Sequence, residues 1–219
     1  MINDQFQVEM FDKEAFELDL REDKEKNNPK QGLIDADVEY HTGFIDPDQA
    51  WSFYHEILKQ TELSQDKITV YGKQHLTPRL TCWMGDDGLD YRYSHYTMKP
   101  VAWSPLLLEL KVLVEQFSNQ QFNSVLINYY RDGQDSNGWH SDDEPELGQN
   151  PIIASLSLGG ARDFQLRHKI KKELKQSIRL DHGSLLMMYG NTQRYWQHHI
   201  PKRAKADGRI NLTFRKIIT

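Results

Sequence analysis

The sequence predicts a mainly β chain with flanking helices (α+β), its strands closed into a sandwich or barrel. Three observations predict it. From Ser124 onward, seven short strand-like segments follow one another at close spacing. Gly and Asp-Gly breaks separate them, which leaves no room for the helical crossovers of alternating βαβ units. Only two segments, both before Ser124, carry a helical apolar period.

Residues 1–40 read as an acidic N-terminal arm; the stretch REDKEKNNPK within it is too polar to bury a core. Asp46-Pro47 opens a helix on which Trp51, Tyr54 and Leu58 recur at three- and four-residue spacing. Strands are expected within 67–72 and 89–97. Ser104 caps a second helix with Pro105 at its first position, and Leu107, Leu110, Val114 and Phe117 form its apolar stripe. The strand candidates that follow are 124–130, 152–158, 162–168, 176–180, 183–189, 194–200 and 209–216. Breaks fall at Asp132-Gly133, Gly159-Gly160, Asp181-His182-Gly183, Gly190-Asn191 and Asp207-Gly208.

A chain of 219 residues can form one sizeable domain or two small ones, and 5 Trp, 10 Tyr and 9 Phe can supply its core. No window approaches a membrane-spanning apolar run, so no membrane partner is expected. The opening MINDQFQVEMFDKEAF lacks the basic-then-apolar order of a targeting peptide, and Cys82 has no second cysteine to pair with. Both fit a cytoplasmic (or nucleoid-associated) monomer. The net charge of −5 conceals an asymmetry. Residues 160–219 hold 14 Lys+Arg against 4 Asp+Glu, while the rest holds 13 against 28. A basic face on an acidic chain is what phosphate binding needs, although a solvated lysine-rich turn at 169–172 is also consistent.

Chemistry is concentrated late in the chain. His140, Asp142 and one of His198 or His199 offer two imidazoles and a carboxylate, the three-ligand face of non-haem Fe(II) oxygenases. On a strand, His198 and His199 face opposite sides, so only one can be a ligand. Arg209, Asn211 and Arg215 alternate along one face of their strand, with Leu212 and Phe214 on the other. Inward arginines are costly to bury without anions, so this face implies a bound dicarboxylate; with iron, that points to 2-oxoglutarate. Asn128 and Tyr130 share a face of the strand before the His-x-Asp pair.

The stretches INYYRDGQDSNGWHSDDEPELG, SLSLGGARDFQLRHK, MMYGNTQRYWQHHIPK and RINLTFRK resemble, in order and spacing, the AlkB-type Fe(II)/2-oxoglutarate dioxygenases, in the branch that includes the nuclear alkylated-DNA repair homologues. The resemblance runs from about Ile68 to the C-terminal end. It implies a double-stranded β-helix (jelly-roll) and a single dioxygenase domain over 41–219, with a nucleotide-recognition lid at 65–100 and the jelly-roll core at 120–219. It places iron on His140, Asp142 and His198, since the family's ligand follows Trp-x, and 2-oxoglutarate on Asn128, Tyr130, Arg209, Asn211 and Arg215. In the lid, either Tyr91 or Tyr93 would stack on the flipped base, Asp143 would contact it, and Tyr71 would probe the duplex. Arg79, Arg162, Arg167, Lys169, Lys202, Arg203 and Lys205 would follow the nucleic-acid backbone. The implied activity is oxidative demethylation of alkylated DNA or RNA with Fe(II), O2 and 2-oxoglutarate, releasing succinate, CO2 and formaldehyde. The alternative is hydroxylation of a tRNA base or a protein by the same cofactors.

Overall fold

The computed structural model describes residues 30–70, 73–89, 91–93, 96–98 and 100–218. Their backbone forms two antiparallel sheets that face each other, with two long helices against the outer side of the larger one. The six-stranded sheet runs in the order β1 (Asp37–His41), β12 (Ser184–Tyr189), β9 (Ile153–Gly159), β14 (Arg209–Arg215), β7 (Ser124–Tyr130), β4 (Leu80–Gly85). The four-stranded sheet runs β11 (Lys175–Leu180), β10 (Arg162–His168), β13 (Trp196–Ile200), β8 (Asn137–His140). Two further hairpins stand apart from these sheets, β2 (Lys67–Val70) with β3 (Lys73–Leu76) and β5 (Tyr91–Tyr93) with β6 (Tyr96–Met98).

Helix α1 (Pro47–Gln60) starts where Asp46 accepts from the Asp48 and Gln49 amides, satisfying donors that the first turn leaves without partners. Its buried stripe is Ala50, Phe53, Tyr54 and Ile57, which keeps Tyr54 of the expected one but not Trp51: Trp51 is 41% exposed, its ring tilted against His182. Helix α2 (Pro105–Ser118) begins at Ser104 as expected and buries Leu107, Leu110, Leu113, Val114 and Phe117. Both helices cover the side of the six-stranded sheet bearing Val125, Ile127, Leu156, Leu185, Ile210, Leu212 and Phe214. A second core fills the space between the sheets, with Val38, Trp83, Phe164, Leu166, Leu186, Met188 and Trp196 among its members. Because strand side chains alternate, β7, β9 and β14 turn a polar row toward that inter-sheet space while burying an apolar row beneath the helices.

The strands expected after Ser124 all form, within a residue or two at their ends. The segment 194–200 begins instead with a short helix, α3 (Thr192–Tyr195), and only Trp196–Ile200 is strand. The arm boundary at residue 40 needs correction. Asp37–His41 is an edge strand on β12, held there by burial of Val38 and His41. Likewise β4 lies inside the 65–100 stretch yet belongs to the large sheet, because Cys82, Trp83 and Met84 are all buried. Gly159, which ends β9 at φ +88°, has no room for a side chain: a Cβ there would sit 2.5 Å from the Gly208 carbonyl oxygen.

Candidate active site

His140 ends β8, and His198 is its cross-strand partner on β13, so both imidazoles project from the same face into the inter-sheet space. Asp142 lies two residues past the end of β8, in a turn rather than on the strand. That turn is fixed from below: the Asp142 amide donates to Gln193 Oε1 at 2.9 Å, and Ser141 Oγ donates to the Trp196 carbonyl at 2.9 Å. One ligand atom from each of His140, Asp142 and His198 lies within 4.8 Å of the others. His140 Nδ1 is 2.8 Å from the Gly138 carbonyl oxygen, which can only accept; the proton is therefore on Nδ1 and Nε2 carries the lone pair.

The electrostatics suit a cation. Burial, then the neighbouring His140, pull His198 down to about 3, so its imidazole is neutral and available as a ligand at any physiological pH. Burial alone would raise the Asp142 carboxyl, but Arg215 and the two histidines outweigh it and hold it below the ordinary aspartate value. Arg215 Nη2 donates to Asp142 Oδ1 at 2.6 Å, leaving Oδ2 on the His198 side, 3.9 Å from that ring's Nε2. His198 also stacks on Phe164, centroids 4.9 Å apart, which fixes the ring plane.

Beside this cluster lies the polar row of the large sheet. Arg209 pairs with Tyr130 and with Gly159, Asn211 with Asn128 and Ser157. Asn211 donates to Ser155 Oγ (2.8 Å) and accepts from Thr213 Oγ1 (2.8 Å), so its amide is fully oriented. Arg209 is different. It is 1% exposed and donates from Nη2 to Ser157 Oγ at 3.0 Å, yet its Nε and Nη1 have no partner. Burial lowers the group to about 10, with Tyr130 opposing the fall, so it stays a cation at neutral pH. A buried guanidinium with half its fork unsatisfied fits an anionic ligand that enters from the inter-sheet space. Two imidazoles and an ionised carboxylate converging nearby fit a divalent metal.

The structure thus brings together His140, Asp142, His198, Asn128, Tyr130, Arg209, Asn211 and Arg215. His199 points the other way, onto the outer face of the small sheet. Asp143 is exposed at the rim, paired with Lys169 at 3.0 Å. Lys202 and Lys205 are exposed, and Arg203 is half-buried against Asp163. Tyr91 and Tyr93 lie on β5, while Tyr71 falls outside the described residues.

Two expectations need correction. Arg162 is 2% exposed and donates to the Asp132, Asp135 and Pro201 carbonyls, so it ties loops together beneath the rim and is closed to a phosphate. Arg79 donates from Nε to the buried Asn128 Oδ1 at 2.6 Å, which directs it onto the inner polar row of the large sheet rather than out toward a backbone. Sequence reasoning missed Gln193, Ser155 and Ser157. The serines had a signal, two hydroxyls at alternate positions of an otherwise apolar strand. Gln193, in a turn, had none.

The model of the 2OG-Fe(II) oxygenase superfamily matches residues 37–215. Relatives include the bovine alpha-ketoglutarate-dependent dioxygenase alkB homolog 3, 43% identical over 80% of this chain and 64% of its own length. DNA oxidative demethylase ALKBH2 of Arabidopsis thaliana is 38% identical over 88% of this chain and 71% of its own. The human protein of that name is 41% identical over 78% and 69%. The chain thus spans 64% of the length of the alkB homolog 3 relative from cattle. Among solved structures, OsALKBH1 superposes with a TM-score of 0.62 at 18% identity, covering 86% of this chain and all of that one; this likeness shows the fold.

Proposed function

Because the chain belongs to the 2OG-Fe(II) oxygenase superfamily, in its AlkB-type branch, we propose that it is an Fe(II)- and 2-oxoglutarate-dependent dioxygenase that demethylates N-alkylated bases of DNA. RNA is the second substrate to be tried. The observation that carries this reading is the buried, partly unpaired Arg209 on the same face of β14 as Arg215, which bonds Asp142 of the His140–Asp142–His198 cluster. No metal cluster other than this one is found among the described residues.

The work of the chain is to hold and orient. His140, Asp142 and His198 would hold the metal, each offering one ligand atom. Arg209 would take the distal carboxylate of 2-oxoglutarate on its guanidinium, while Arg215 secures Asp142 and lies toward the metal end. Asn128 and Tyr130 hydrogen-bond along the co-substrate, and Arg79 orients Asn128. Bound Fe(II), with O2 and 2-oxoglutarate, supplies the oxidation of the N-alkyl carbon, after which the base is released with formaldehyde, succinate and CO2 as products. The base must leave its stack to reach the site, at a cost of a few kcal/mol, which stacking on Tyr91 or Tyr93 would offset by about 1–3 kcal/mol. Asp143 faces the base edge, and Arg167, Lys169, Lys202, Arg203 and Lys205 follow the backbone.

The relatives named as DNA oxidative demethylases support DNA as substrate. Methylated single-stranded and duplex oligonucleotides, in DNA and RNA form, test the proposal by mass spectrometry. Loss of about 14 mass units per lesion, one CH2, is the expected result. An iron- and 2-oxoglutarate-binding chain that leaves every oligonucleotide untouched would return the reading to a protein hydroxylase.

A further inference from the structure

The outer face of the small sheet carries a stack of side chains of which the catalytic reading uses only Arg167. Strand alternation turns the neighbours of two metal-site histidines outward: Trp139 beside His140, and Gln197 and His199 beside His198. The Trp139 and His199 rings lie face to face, centroids 3.7 Å apart and 18° from parallel. The Arg167 guanidinium of β10 lies 4.2 Å from the centre of the Trp139 ring. Arg167 donates from Nε and Nη2 to Gln197 Oε1 at 3.1 and 2.9 Å, and His199 Nε2 is 2.8 Å from Gln165 Oε1. One group of contacts therefore ties β8, β13 and β10 together from outside.

Strand β8 needs such a tie. It is four residues long, lies at the edge of its sheet, and pairs with β13 at His198↔His140 and Ile200↔Asn137, with a register irregularity between the two. A short edge strand with an interrupted ladder frays readily, and a shift of one residue would turn His140 away from the site. Asp142 follows two residues later on the same piece of chain. A half-buried tryptophan on an outward sheet face is not required by either core.

We propose that Trp139, gripped by His199 and Arg167, is a positioning residue of the metal centre: it holds β8 in register on β13 and so sets the affinity for the divalent metal. The proposal rests on the metal reading of His140, Asp142 and His198, and its test separates the two. Apo protein is titrated anaerobically with Mn(II), free metal being counted by electron paramagnetic resonance, with circular dichroism and thermal unfolding run alongside. Trp139→Ala is expected to weaken binding by about 10–100-fold, the usual effect of removing a group that orients metal ligands. Trp139→Phe, which retains a ring for His199 and Arg167, restores binding to within a few-fold. Ile57→Val, a small loss beneath α1 on the far side of the large sheet, lowers the unfolding temperature and leaves metal affinity alone. If Trp139→Ala does not fold, Arg167→Ala and His199→Ala each remove one side of the stack, and each should weaken Mn(II). Unshifted binding in these variants, or losses that follow unfolding temperature in Ile57→Val as well, overturn the proposal. A wild-type chain that binds no Mn(II) overturns the metal reading, and the proposal with it.

Discussion

Replacing Arg209 with alanine separates the co-substrate reading from a purely structural one. In the apo chain the guanidinium is buried, donates to Ser157 and holds two unpaired donor nitrogens. A buried cation with no anionic partner destabilises, so its removal costs the apo fold little, and the unfolding temperature should move by only a few degrees. The bound state is different. A charge-assisted pair in a desolvated pocket is worth roughly 2–5 kcal/mol on truncation. At about 1.4 kcal/mol per factor of ten, that is a loss of about 30-fold to several-thousand-fold in 2-oxoglutarate affinity. Ligand linkage makes the contrast measurable: at about 100 times Kd, a ligand of the native state stabilises it by about 2.7 kcal/mol. Differential scanning fluorimetry with Mn(II) present should show a rise with 2-oxoglutarate in the wild type and none in Arg209→Ala at the same concentration. Arg209→Lys, which keeps the charge but loses the fork, should fall between. An Arg209→Ala chain with an unchanged 2-oxoglutarate dependence would refute the clamp. So would one whose apo form is strongly destabilised, since the guanidinium would then be satisfied within the protein.

His140→Ala, Asp142→Ala and His198→Ala should each abolish metal-dependent 2-oxoglutarate turnover, whereas His199→Ala retains it at saturating metal; a dead His199→Ala with an active His198→Ala would reverse the ligand assignment. Gln193→Leu removes the acceptor for the Asp142 amide and should lower turnover at limiting Fe(II) by about tenfold or more, with partial recovery at high Fe(II). Arg131→Ala tests a pH effect: bonding from Arg131, against burial, holds Asp135 below its ordinary value, so its contribution is present above about pH 4 and lost as pH falls through the lowered value. Urea midpoints of wild type and variant should therefore differ at pH 7 and converge at strongly acidic pH; a difference constant with pH would exclude this pair as its source. Lys202→Ala with Lys205→Ala should make the log–log salt dependence of duplex binding shallower by up to about two units, because each phosphate contact contributes about 0.9. An unchanged slope would remove both lysines from the backbone track.

The β-rich class, both long helices and every strand after Ser124 except β8 were legible in the sequence, because periodicity and Gly/Asp punctuation act over a few residues; Asn137–His140 is too short and too polar to show a period. So was the arginine face of β14, since two-residue spacing on a strand settles which side chains share a face; His140, Asp142 and His198 were legible by residue type, whereas Asp142 joins the histidines from a turn that Gln193 holds. The resemblance then selected His198 over His199, and the outward stacking of His199 agrees. What local pattern cannot carry is what comes from elsewhere in the chain. Arg79 and Arg162 read as surface cations because positive charge is usually solvated. Only the fold shows the Asn128 amide that draws one inward and the three carbonyls that enclose the other. Gln193 gained its role through a contact 51 residues away, and β1 became a strand only because β12 offered an edge. The sequence by itself determined which groups the site contains and which strand faces carry them. Tertiary structure alone decided which cations are buried, what each polar group is bonded to, and how an edge strand is held in place, because burial and pairing are properties of neighbours that the chain supplies from far away.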